Sequence, residues 1–146
     1  MTEKIIFSQP YGSVLVDEEV PCVISQWHGL AHTTDFRTLL EFALAYYTTR
    51  HRSAKPWGWI GDTRQMGAIS ADVHEWLTHD LNPRMYAAGL RQMSIVTSDN
   101  VFSRLASQQY VQGTRNQKDQ YDLFTVHYPT LEAAKKGTRA ALISPV

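Results

Sequence analysis

The chain has 146 residues, with 14 basic and 14 acidic side chains and a formal net charge of zero. That balance provides no electrostatic footprint for nucleic acid, a membrane surface or a polyanion. Hydrophobic residues make up 43%, and a chain of this length buries roughly 70% of the surface its unfolded form exposes. Neither disulfides nor a structural metal is needed to hold such a core together.

Residues 5–8 and 13–17 are short apolar and β-branched runs on either side of Gln9-Pro10-Tyr11-Gly12. In that turn Pro fixes one backbone angle and Gly permits a positive φ, so the runs are expected to pair as a hairpin. Glu18-Glu19-Val20-Pro21 interrupts the pattern, and residues 22–27 resume it as a third strand. Thr33 or Thr34 then caps a helix over residues 35–51. Its Phe36, Leu39, Leu40, Ala43, Leu44 and Tyr47 recur at three- and four-residue spacing, which is one apolar face. Residues 57–61 are apolar on both sides, as a central parallel strand is.

Ser70 is the predicted cap of the next helix, with Asp72 in its first turn and Val73, Trp76, Leu77 and Leu81 as its apolar stripe. Pro83 has no amide hydrogen and pushes Asn82 away from helical angles, so this helix either kinks at Asn82-Pro83 or restarts there. Gly89 ends it. Residues 93–97 form a further strand, and Ser98 or Asp99 caps a helix carrying Val101, Phe102, Leu105 and Ala106. Residues 113–120 are polar without periodicity, hence an exposed loop. Residues 123–128 are the last strand, and Pro129-Thr130 leads into a final helix on which Lys135, Lys136 and Arg139 read as a solvated cationic face. The order β-β-β-α-β-α-β-α-β-α predicts an α/β fold. It is one domain over residues 1–146, with a mixed, mostly parallel sheet, an N-terminal antiparallel hairpin and about four helices.

The residues able to carry specific chemistry concentrate between Lys55 and Leu90. Asp62, Thr63 and Arg64 follow the end of a predicted parallel strand, where open α/β sheets place ligand contacts. Together with Arg84, whose guanidinium is a bidentate fork, Asp62 and Arg64 could clamp a small planar anion. The alternative is that Asp62 accepts loop amides and pairs with Arg64, holding the turn. His74 and Trp76 lie on the helix that Ser70 opens and complete the candidate contact surface. The histidine spacings give no complete zinc ligand set, so no metal is expected. No G-x-S-x-G elbow, G-x-G-x-x-G loop or Walker sequence is present, so no catalytic residue and no cofactor are assigned. Cys22, following Pro21, reads as a small core residue rather than a reactive thiol. A single cysteine, no run near about 18 apolar residues and no leader-like N-terminus lead to the expectation of a soluble, cytoplasmic chain.

The element order and the central stretch resemble bacterial domains with the fold of the anti-sigma-factor antagonist, the STAS or SpoIIAA-like fold. The closer likeness is to an uncharacterised bacterial group within that fold. It is carried by Trp59-Ile60-Gly61-Asp62-Thr63-Arg64, Gly67-Ala68-Ile69-Ser70, Trp76, Pro83-Arg84 and Ala87-Ala88-Gly89. The regulatory antagonists carry a phosphorylated serine in an Asp-Ser-Ser-Gly-like turn. Here the turn reads Asp62-Thr63-Arg64-Gln65, so the aspartate matches and the serine does not. The resemblance implies the fold; joined to the absence of any catalytic set, it leads to the expectation of a non-enzymatic regulatory or protein-interaction domain, using the loop after the central strand against a protein partner. The alternative from the residues themselves is a small-molecule domain, or an enzyme with few sequence signs, sited around Asp62, Arg64 and Arg84. Self-association as a homodimer is the third expectation, two-fold dimers being the commonest oligomers.

Overall fold

A computed structural model describes residues 3–97 and 100–143 of the chain. Strands β1 (Glu3–Gln9), β2 (Gly12–Asp17), β3 (Cys22–Trp27), β4 (Gly58–Asp62), β5 (Gln92–Val96) and β6 (Phe124–Tyr128) form one sheet in the order β1-β2-β3-β4-β5-β6. The first three strands pair antiparallel, and β3 to β6 pair parallel. The helices are α1 (Thr33–Arg50), α2 (Ala71–Trp76), α3 (Asn82–Ala87), α4 (Val101–Asn116) and α5 (Leu131–Ile143). A π-helical turn, Leu77–Leu81, joins α2 to α3 without a break, so the described residues form four helical bodies. The α/β class, the mixed sheet and the opening hairpin are as expected.

Period-two alternation divides each central strand between two layers. Val23, Trp27, Trp59, Met93 and Ile95 face the large core built with α1 to α4. Cys22, Ile24, Ile60 and Val96 face the other way, onto Ala134 of α5. The strands are therefore apolar on both sides because both sides are covered.

Several boundaries differ from the sequence expectation. The cap of α1 is His32, not Thr33 or Thr34, and its amide donates to the Asp35 carboxylate at 2.9 Å. An acidic residue three positions into the helix settles the start there. Ser70 does cap α2, its hydroxyl accepting from the Val73 amide at 3.2 Å. Helix α4 is capped by Asn100, whose side-chain oxygen accepts from Phe102 at 2.8 Å; Ser98 and Asp99 lie outside the described residues. It runs on to Asn116, so the first residues of the expected 113–120 loop are helical. Gly113 serves close packing rather than a turn, since a β-carbon there would lie 2.8 Å from the Thr78 hydroxyl. Gly89 does end α3, at φ +114°, and a β-carbon there would collide with the His51 ring.

Helix α4 turns three of its four expected apolar residues outward and buries only Ala106 of them. Val101, Phe102 and Leu105 are 60%, 49% and 50% exposed, while Ser103, Ala106, Ser107 and Thr114 are buried. Polar residues tolerate burial when they are hydrogen-bonded. The Ser103 hydroxyl lies 2.9 Å from that of Thr63, and the Thr114 hydroxyl accepts from Asn82 at 3.1 Å.

Asn82 keeps helical angles, φ −56° and ψ −46°, contrary to the restriction expected from the following proline. The π turn is the reason. The Asn82 amide bonds the carbonyl of Leu77, five residues back. The wider turn admits the Pro83 ring, and the same step would pair position 83 with the Thr78 carbonyl. Proline has no hydrogen to give, and the Tyr121 phenol donates to that carbonyl instead, at 2.8 Å. The Asn82 side chain is fully buried. It donates to Thr114 and Tyr121 at 3.1 and 3.0 Å and accepts from Tyr110 at 2.8 Å.

Lys135 is not solvated as expected. Glu3 and Asp17 are directly opposed across β1 and β2, a like-charge juxtaposition that is destabilising by itself. The Lys135 ammonium from α5 lies 2.7 Å from Glu3 and 2.8 Å from Asp17 and joins both strands to the helix. Arg139 donates to the Glu19 carbonyl at 2.9 Å. No helix among the described residues is long and apolar enough to cross a membrane.

Candidate functional site

The expected site residues fall on two sides of the sheet. Alternation along β4 sends Asp62 to the face of Ile60, and Gly61 and Thr63 to the opposite one. Asp62 is 2% exposed. Arg64 grips it through Nε and Nη2 at 2.9 and 2.8 Å, and Gln26 Nε2 donates at 2.9 Å. The Arg64 amide adds a 3.2 Å bond. Burial alone would raise the Asp62 pKa, but the Arg64 and Gln26 hydrogen bonds and the Arg64 charge outweigh it and hold the carboxyl below the usual range. This is the arrangement of a turn held by its own ion pair.

Arg84 does not join that pair. It donates to Glu41 of α1 at 2.7 and 2.8 Å and to Asp80 at 2.9 Å, which places it along the α1–α3 surface. The three-residue anion clamp is not assembled. Thr63 is buried, its hydroxyl donating to the Val96 carbonyl at 2.8 Å. That bond ties β4 to β5, and the hydroxyl is not presented to an enzyme that would phosphorylate it. Ser70 is exposed and occupied as a cap. Trp76 is buried, with the Arg37 guanidinium over its ring at 5.5 Å.

Thr63 and His74 instead line a pocket of about 80 Å³ on the helix face of the sheet. It sits at the carboxyl-terminal ends of β3, β4 and β5, where Ser25, Gly61 and Ile95 form its floor. Trp27, Phe36, Trp59 and Tyr110 supply aromatic walls, and Met66, Met85 and Met93 fill between them. The π turn contributes Leu77 and Leu81; such turns often mark functional sites. Gly61 keeps the floor low. A β-carbon there would meet nothing nearer than the Ser25 hydroxyl at 3.9 Å and the Met93 sulfur at 4.0 Å.

Two polar atoms in this lining, His74 Nε2 and Ser107 Oγ, are buried without a hydrogen-bond partner. Natural structures contain few such groups, and leaving one unmade costs about 1–3 kcal/mol. Burial pushes the His74 pKa below the ordinary imidazole value, and a hydrogen bond from the ring to Gln109 works in the opposite direction. Ile69 and His74 also line a more polar surface groove with Glu75, His79, Gln109 and Gln117, so pocket and groove adjoin at these two side chains. Ser107, Gly61 and the methionines were not singled out by the sequence reading. The usable signal was Ser103, Ala106, Ser107 and Tyr110 at helical spacing, a stripe too polar to be ordinary core.

Among the described residues, no group of three or more His, Cys, Asp or Glu side chains is placed to hold a metal ion. Cys22 is fully buried, and burial first, then the nearby Asp17 carboxylate, pushes its thiol up to about 12. It is expected to resist thiol-specific reagents in the folded protein and to react once denaturant is added; rapid native labelling would contradict its placement. No family model, curated protein or solved structure matches the chain.

Proposed function

We propose that the chain is a small-molecule-binding domain whose ligand sits in the pocket between α2, α4 and the ends of β3, β4 and β5. The observation that carries this reading is the pair of buried, unpartnered polar atoms, His74 Nε2 and Ser107 Oγ, in a lining otherwise mostly apolar. A mostly apolar concavity with a few convergent polar groups is the usual form of a ligand site. The SpoIIAA-like assignment belongs to the same proposal, supported by the antiparallel opening and the alternating parallel half of the sheet. A cytoplasmic setting fits the free thiol of Cys22.

A neutral-fragment screen by ligand-observed NMR tests the reading, with Gly61→Val as the blocking variant. The space above Gly61 accepts a β-carbon, and strand glycine is less stable than a residue with a side chain by about 0.5–1 kcal/mol. The variant is expected to keep its fold and stability while losing the hits of the parent. Hits that persist unchanged in Gly61→Val would remove the pocket from the reading.

A second reading, a protein-interaction domain or homodimer, is favoured by the exposed Val101, Phe102 and Leu105 on α4. Sedimentation of the parent chain and Phe102→Glu checks it. A dimer dissociated by the substitution supports self-association, and a monomer in both cases rules out a homodimer through this face.

A further inference from the structure

We infer that the pocket selects a small neutral aromatic molecule bearing one hydroxyl group, a single-ring alcohol of the phenol type, with His74 Nε2 and Ser107 Oγ as its polar anchors. This inference rests on the small-molecule reading and narrows it to a chemical class.

Charge follows from the lining, in which the described residues include no Lys, Arg, Asp or Glu. An ion brought there would lose its hydration for no compensating partner, at a cost of several kcal/mol. Shape follows from the walls. Trp27, Phe36, Trp59 and Tyr110 offer ring faces and edges, and Met66, Met85 and Met93 offer polarisable sulfur, both of which favour a flat ring. Size follows from the volume. A cavity of about 150 Å³ holds benzene, so about 80 Å³ sets a single ring as the upper limit, entering as the flexible methionine side chains of the wall give way. Polarity follows from the two anchors. The His74 ring reaches the pocket with its Nε2 unpartnered. A neutral imidazole donates or accepts at Nε2 according to its tautomer, and a ligand hydroxyl answers either. The Ser107 hydroxyl can donate or accept, so one ligand hydroxyl can use both anchors. Entry would pass the groove, since His74 and Ile69 line both spaces.

The test is an NMR titration of the full chain with phenol, toluene and benzoate, observing the methionine methyl groups and the imidazole nitrogens of His74. Phenol is expected to shift Met66, Met85 and Met93 and to move the Nε2 resonance. Toluene is expected to bind roughly tenfold more weakly, the loss of about one hydrogen bond, and benzoate not at all. Ser107→Ala and His74→Leu should each weaken phenol and leave toluene unchanged. Should His74→Leu fail to fold, the parent Nε2 shift alone decides the histidine's part. Toluene binding as tightly as phenol, or phenol binding without an Nε2 shift, overturns the hydroxyl recognition while the small-molecule reading stands. Fragments of another class that bind, and are lost in Gly61→Val, overturn the phenol class alone. If nothing binds in the screen or the titration, both fail, and the pocket is a water site.

Discussion

Replacing Asn82 by alanine is expected to destabilise the protein by about 3–4 kcal/mol, read as a lowered urea midpoint at constant slope. The size comes from what the substitution leaves behind. Asn82 is the junction of a buried network, with its amide nitrogen on Thr114 and Tyr121 and its amide oxygen on Tyr110. Removing it strips a partner from three buried hydroxyls at once, and partly satisfied networks cost more than apolar cores. Tyr121→Phe isolates one branch. It leaves the Thr78 carbonyl without the donor that replaces the missing Pro83 amide, and it is expected to cost about 1–3 kcal/mol. A loss under about 1 kcal/mol for Asn82→Ala would mean that the network contributes little to holding the π turn.

Lys135→Met is the second large effect, expected at about 3 kcal/mol, because the substitution removes the ammonium that the opposed Glu3 and Asp17 carboxylates share. Burial lowers the pKa of Lys135, but its hydrogen bonds and charge contacts to Asp17 and Glu3 outweigh that and raise it above the ordinary lysine value of 10.5. The folded state thus holds the proton more tightly than the unfolded chain. The resulting stabilisation is complete below that value and is lost as pH rises through the folded one. Urea unfolding at neutral pH and near pH 11 checks this: the parent chain should lose stability over that interval, and Lys135→Met should lose less. Equal alkaline losses would place the titration elsewhere.

The fold was legible because most elements carry signals from one layer only. Short apolar and β-branched runs and turn residues placed all six strands, and the stripe from Phe36 to Tyr47 placed α1. The failures share a cause: a local rule was overridden by a partner distant in sequence. Val101, Phe102 and Leu105 look like a core face until Ser103 and Thr114 find Thr63 and Asn82, 40 and 32 residues away. Proline's restriction on Asn82 holds for a regular helix and fails in a π turn, which Tyr121 completes from 43 residues off. The candidate site was half legible. Asp62 and Arg64 were chosen for their charge, and the structure spends that charge on a turn. His74 was chosen with them, yet it belongs to a pocket whose other anchor is a serine with no motif around it.

The strand order has a consequence for how the molecule is made. Each strand pairs with the one synthesised just before it, so the sheet can widen by one edge as the chain leaves the ribosome, and no strand waits for a distant partner. Such local wiring shortens the search that limits folding rate. The layers do not close at the same time, however. The helices of the pocket side arrive between the strands they cover, whereas Cys22, Ile24, Ile60 and Val96 stay bare until α5 emerges with Ala134. For that interval the nascent chain shows a greasy plane to its surroundings, and the same helix that covers it brings Lys135 to fasten the first two strands.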